Sequence, residues 1–374
     1  MSLFIDVHAL HTLPPSNVNR DDTGAPKSAT FGGVIRQRVS SQSWKRAIRD
    51  DFKNHLDISQ LGYRTKRVVA KIAEEIREIA PTWDEESSLS AAAEALKVGG
   101  IKVNEPKIKK NDEADVVREP EVGYLLFLST QQIRSIAKMI VDAGEQKLNK
   151  KQIAEALDTN HSIDIAAFGR MVADAPAFNV DAAVQVAHAI GVHESEPEFD
   201  YFTAVDDAVV AAEETGAGMI GTVQMMSSTL YRYATVNVSG LVGNLGNQEA
   251  AVEATSAFVR SFILSMPTGK QNAYANRTLP EVVYISVRED RPISLVNAFE
   301  EPVEASDSAG RRTEAATRLA EEAKAIGAAY GVSPVAEYVL AIGDLGDAFK
   351  ELATPLPLPE LLENLRETVA GKIA

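Results

Sequence analysis

The chain has 374 residues, 45% of them hydrophobic and 24% charged, a globular balance that excludes wholesale disorder. It has no cysteine, which excludes disulfide stapling and thiolate metal sites and fits a reducing compartment. The formal net charge of -15 argues against a surface that binds polyanions everywhere, because phosphate contacts demand Lys and Arg.

The length calls for either one domain with a large insertion or two domains. The first residues lack the charged flank and apolar core of a signal peptide, and no apolar run reaches membrane-spanning length, so a soluble cytoplasmic protein is expected.

In chain order, residues 3–9 alternate apolar side chains with Asp6 and His8, the pattern of a strand with one buried face. Residues 11–30 are rich in Pro, Asn, Asp and Gly and read as a long loop, and loops of that length are commonly functional. Phe31-Gly32-Gly33 leads into a short strand ending at Val39, and Ser40 or Ser41 then caps an amphipathic helix that ends near Phe52. On that helix Trp44, Ile48 and Phe52 form the apolar stripe, while Gln42, Lys45, Arg46, Arg49 and Lys53 share the neighbouring face.

Here the charge distribution matters. Between positions 34 and 71 ten cations stand against three aspartates, so an acidic protein carries one basic segment able to grip an anionic strand locally. A plain solvated helix face is the competing explanation for such a run.

Residues 62–160 read as mostly helical with a polar stretch at 102–119, and 182–190 reads as a further helix. A loop at 193–198 and a glycine-rich segment to 226 suggest a protruding hairpin. Strands are expected at 229–238 and 281–287 and a helix at 249–265, with a largely helical tail from 309 broken by Pro355, Pro357 and Pro359. Strand, helix, long insertion, strand, helix, strand is the order of an α+β domain of ferredoxin or RNA-recognition type, split by inserts.

Several catalytic patterns fail on context. Gly216-Ala217-Gly218-Met219-Ile220-Gly221 has the letters of a dinucleotide fingerprint but lacks the preceding strand and following helix. Gly269-Lys270 lacks the rest of a phosphate loop, the six histidines show no zinc-hydrolase spacing, and no nucleophile elbow is present. Asp21 and Asp22 are the one sharper possibility, since adjacent carboxylates in a loop can hold a divalent metal for phosphodiester cleavage. Turn formation is their simpler role.

Pro15-Ser16, Asn19-Arg20-Asp21-Asp22, Phe31-Gly32-Gly33, the run from Arg36 through Arg38, Ser40-Ser41-Gln42-Ser43 and Lys45-Arg46-Ala47 to Arg49, Gly169-Arg170-Met171, Tyr201-Phe202-Thr203, Tyr231-Arg232-Tyr233-Ala234, Lys270-Gln271 and Asn297-Ala298-Phe299-Glu300 together closely resemble the CasC family of the type I-E CRISPR Cascade complex. Residues 62–160 resemble it only in helical character.

The resemblance implies a hand-like protein. An RNA-recognition-like (ferredoxin-like) palm would occupy 1–60, 183–192 and 227–374, helical fingers 61–182, and a β-hairpin thumb 193–226. It implies a non-catalytic subunit without cofactor or metal that polymerises head to tail along a CRISPR guide RNA, kinks it and displays it to a target DNA strand. Other Cascade subunits would be its partners: the large PAM-reading subunit, the small subunit, the 5′-handle subunit and the repeat-processing endoribonuclease.

It further implies that Arg20, Lys27, Arg36, Arg38, Ser40, Gln42, Lys45 and Arg49 contact phosphates and that Gly32 and Gly33 let the chain approach the sugar-phosphate path. Met171, Tyr201 and Phe202 would border the kink, with Arg46, Arg170, Thr203 and Lys270 completing the RNA-binding set. Backbone contacts leave the guide's pairing edges free, as a guide-displaying subunit requires.

Overall fold

The computed structural model describes residues 2–105, 119–144, 146–204, 219–305 and 310–374. Part of the expected hairpin, including Gly216 to Gly218, and most of the polar stretch at 102–119 lie outside the described residues.

Helices and an antiparallel sheet are combined in two compact units. The first comprises Met1–Asp51, Gln185–Asn237 and Thr255–Ala374, and the second Phe52–Val184 and Val238–Ala254.

The first unit is built on a nine-stranded sheet. Strand β1 (Phe4–Ser16) lies at its middle, antiparallel to the long strand Met219–Asn237 on one side and to Val282–Arg288 on the other. The edge strand Ala336–Ala341 follows Val282–Arg288. Beyond the long strand lie Ala189–Gly191, β3 (Val34–Val39) and β2 (Ser28–Phe31), each antiparallel to its neighbour. The strand Glu198–Ala204 pairs with the first part of the long strand, from Glu198 opposite Met225 to Ala204 opposite Met219.

Burial on β1 differs from the alternating pattern expected of it. Both faces are covered, and Asp6 and His8 are buried with the apolar residues. Each is satisfied by partners that a local sequence window cannot show. The Asp6 carboxylate accepts from Tyr233 Oη and the Ile293 amide, both at 2.9 Å. The Tyr231 hydroxyl lies 2.9 Å from His8 Nδ1 and accepts from the Leu295 amide at 3.0 Å. Around them Leu10, Tyr231, Val282, Tyr284, Leu295, Phe299, Leu319 and Phe349 form an apolar cluster.

Residues 182–190 form no helix. Val184–Val186 and Ala189–Gly191 are strands, with Val184, Val186 and Ala189 buried and Gln185 exposed. Two-residue alternation and pairing to the sheet override the helical preference of the alanines. The tail is also less helical than expected: the strand Ala336–Ala341 separates the helices Arg311–Tyr330 and Leu358–Ile373.

The second unit is chiefly helical. Val68–Ile79, Glu85–Val98, Thr130–Ala143 and Lys150–Asp158 pack about Val69, Ile72, Ile76, Leu96, Ile133, Ile136 and Leu157. Residues 238–254, which follow the long strand, also belong to it. No described helix is long and apolar enough to cross a membrane.

Candidate nucleic-acid interface

Helix α1 (Ser41–Phe52) begins where the sequence places a serine cap. Ser40 takes that position: its side chain accepts from the Ser43 amide at 3.4 Å, and its carbonyl accepts from the Ser43 and Trp44 amides. Trp44, Ile48 and Phe52 are fully buried. Gln42 and Arg46 are exposed, and Lys45 and Arg49 are half-buried. Partial burial holds the Lys45 ammonium below its ordinary pKa. Arg46 pairs along the helix with Asp50 at 3.7 Å.

The loop at 17–27 folds against the entry to this helix. Its ends are joined by the Lys27 amide donating to the Asn19 carbonyl, and the Lys27 carbonyl accepts from the Arg38 amide, both at 2.9 Å. Asn19 Oδ1 accepts from the Ser40 amide at 2.8 Å. Asn17 Nδ2 donates to the carbonyls of Gly24 at 3.0 Å and Gln224 at 2.9 Å, fastening the loop to the long strand.

Between these ties Asp21 closes a tight turn. Its Oδ1 accepts from the Thr23 hydroxyl and amide and the Ala25 amide at 2.7–3.0 Å. The Thr23 hydroxyl is the chief cause holding that carboxyl below its usual value. Arg20 is exposed and Lys27 half-buried.

The turn bearing Lys270 reaches the same loop. At Gly269 a Cβ would lie 2.2 Å from the Val18 carbonyl oxygen, so only glycine permits this approach. Lys270 follows in the left-handed conformation at φ 47°. Arg20, Lys27, Arg38 and Lys45 thus lie on or beside one loop and one helix start, and the turn that carries the sequence-distant Lys270 meets the same loop.

The hairpin supplies a different chemistry. On Glu198–Ala204, Phe199, Tyr201 and Thr203 share one face, and Tyr201 is 63% exposed. Phe202 points to the other face opposite Gly221 and is 37% exposed.

Two arginines depart from the expected role. Arg36 is fully buried: its Nη1 donates to the Gly191 carbonyl at 3.0 Å and its Nη2 to those of Phe299 and Glu300 at 3.2 and 3.0 Å, beside the Phe31 ring. Arg170, in the second unit, donates to the carbonyls of Phe178 and Leu157 at 2.8 and 2.9 Å, and burial lowers its pKa to about 10. Both guanidiniums tie the protein's own chain together and are not open to a phosphate.

Gly32 is likewise an internal packing residue, because a Cβ there would lie 1.6 Å from the Glu300 carbonyl oxygen. Gly33 faces open space. Met171 belongs to the second unit and is 76% exposed.

His188 is absent from the set read from the sequence. It lies in the connection before the strand Ala189–Gly191, with Nδ1 3.2 Å from Arg38 Nη1 and 3.4 Å from the Ser41 amide. A lone histidine in an apparent helix gave no local signal.

These features define an α+β protein with a broad antiparallel sheet, a paired strand of exposed aromatics and a cation cluster at a helix start. The chain belongs to the CT1975-like protein family, which it matches over residues 5–364, and the resemblance to the CasC family is thereby borne out.

Among solved structures it is similar to a chain of a "CRISPR RNA-guided surveillance complex, pre-nicking", with 34% identity, a TM-score of 0.84 and coverage of 98% of this chain and 100% of that one. It is also similar to a chain of a "CRISPR RNA-guided surveillance complex", with 29% identity, a TM-score of 0.73 and coverage of 98% and 99%. No curated protein matches it.

Proposed function

We propose that this chain is a non-catalytic, RNA-binding backbone subunit of a CRISPR surveillance complex of type I-E. Copies lie head to tail along the guide RNA in the cytoplasm, beside the other subunits, and hold it for pairing with a target DNA strand. The first unit acts as an RNA-recognition-like palm, the helical unit as fingers and the paired strands 198–204 and 219–226 as a thumb that kinks the strand.

The observation that carries this reading is the convergence of Arg20, Lys27, Arg38, Lys45 and Lys270 about the loop at 17–27 and the start of α1. Cations on a helix start suit a ribose-phosphate chain, because the helix dipole adds to their attraction. Such contacts ignore base identity, so every guide is held alike. The similarity to chains of RNA-guided complexes supports the same ligand.

The non-catalytic reading rests on Asp21, whose Oδ1 is engaged by Thr23 and Ala25 within its own turn. Co-expression of the tagged protein with its neighbouring genes and a repeat array, followed by sequencing of bound RNA, is expected to recover processed guides. Regular cuts in complementary RNA with magnesium, lost on Asp21→Ala or Asp22→Ala, would instead identify a backbone endoribonuclease.

A further inference from the structure

His188 Nδ1 has two N–H groups directed at it, from the Arg38 side chain at 3.2 Å and the Ser41 backbone at 3.4 Å. An imidazole nitrogen so placed must offer its lone pair, which puts the ring proton on Nε2. The ring is exposed. Its pKa is nevertheless lowered, first by partial burial and then by the charges of Arg38 and Lys27, and no carboxylate opposes them. A neutral acceptor is therefore the form this position favours.

Arg38 is held from a second side as well, its Nε donating to the Ser28 carbonyl at 3.2 Å. The guanidinium thus lies between β2 and the His188 ring, and its remaining N–H donors have no protein partner among the described residues. An arginine near a sheet edge otherwise samples many rotamers, and ordering it on binding costs affinity. Fixing two of its donors in advance removes much of that cost and orients the others.

We propose that His188 is a positioning residue of the RNA interface, whose Nδ1 sets the Arg38 guanidinium against the first turn of α1 before the strand arrives. This rests on the RNA-binding reading above. It assigns a role to a residue between two strands that contributes no charge of its own.

The test uses the full chain with a fluorescein-labelled single-stranded RNA, anisotropy titrations over a series of salt concentrations, and thermal melting of each variant. His188→Asn places an amide oxygen near the position of Nδ1, His188→Gln places its amide near Nε2, and His188→Ala removes both. The alanine and glutamine variants are expected to bind about tenfold more weakly, as the loss of one charge-assisted contact requires. Their logarithmic salt slope should be shallower by up to ~0.7. The asparagine variant should bind like the unaltered chain, and all three should melt with it.

Unchanged affinity in the alanine variant overturns the proposal. So does recovery by glutamine but not asparagine, which would mean direct RNA contact through Nε2. Weakened binding with lower melting and an unaltered salt slope also overturns it, since that marks a structural role alone. If the unaltered chain binds no RNA, the functional reading itself fails and this inference with it.

Discussion

The guanidinium carbon of Arg232 lies 3.7 Å from the centre of the Trp44 indole, so a cation on the long strand carries the first helix. The Phe262 ring flanks its other side at 4.4 Å, Nη1 donates to His11 Nδ1 at 3.0 Å, and Nη2 donates to the Phe262 carbonyl. Burial lowers the pKa of Arg232 to about 9. Lys45 and Gln42 stand on the helix that this stack holds. Trp44→Ala is expected to destabilise the protein by ~3–5 kcal/mol and to weaken RNA binding with it. Trp44→Phe, which keeps a ring face, should cost less than half as much in urea unfolding.

Gly32 and Gly33 offer a paired comparison. Both have positive φ, at 59° and 81°, but only Gly32 presses on the Glu300 carbonyl. Gly33→Ala should cost about 1 kcal/mol through backbone strain alone. Gly32→Ala should cost at least ~3 kcal/mol, because the Arg36 hydrogen bonds to Phe299 and Glu300 are displaced with the carbonyl. Urea midpoints of the two variants measure the difference.

Salt dependence separates the cations that face solvent from those that tie the chain. Arg20→Ala, Lys27→Ala or Lys45→Ala should each make the logarithmic salt slope of RNA binding shallower by ~0.7 while leaving the urea midpoint nearly unchanged. Arg36→Ala and Arg170→Ala should do the reverse, lowering stability by ~3 kcal/mol or more as buried carbonyls lose their donors.

Two buried histidines and one buried aspartate pull acid sensitivity in opposite directions. Burial lowers the pKa of His8 and of His11 to about 3, so between pH ~4 and ~6 the unfolded chain binds more protons at these sites and stability rises with pH. Asp6 works in the opposite sense. Burial raises its pKa to about 6, so the folded chain binds the extra proton and this contribution falls as pH rises through the same window. Each of these three groups contributes a slope of about 1.4 kcal/mol per pH unit, so together they favour folding as pH rises, and the lowered pKa values of His161, His188 and His193 act in the same direction. Asp6→Asn should steepen the rise, as urea midpoints between pH 4 and 6 would record.

Legibility divided according to the reach of each interaction. The capping serine, the Trp44-Ile48-Phe52 stripe and the turn at Asp21 depend on neighbours a few positions away, and the sequence shows them directly. Arg36 and Arg38 sit two residues apart on one strand and read alike. Their partners separate them: carbonyls 155 and 263 positions along the chain enclose Arg36, whereas Arg38 meets His188. The strands at 184–191 were hidden by alanine content, and with them the histidine between them. Asp6 and His8 looked like the wet side of a strand because the tyrosines that satisfy them lie more than 200 positions away.

Asn17 spends one amide group on two carbonyls, that of Gly24 in the basic loop and that of Gln224 in the long strand. Neither carbonyl can shift without drawing on the same nitrogen. Mechanical load on the hairpin, from a neighbouring molecule or a bent strand, therefore reaches the loop that carries Arg20 and Lys27 through this side chain as well as through the Ser16–Met226 pairing beside it. Asn17→Ala would weaken that coupling and loosen the loop without removing any cation.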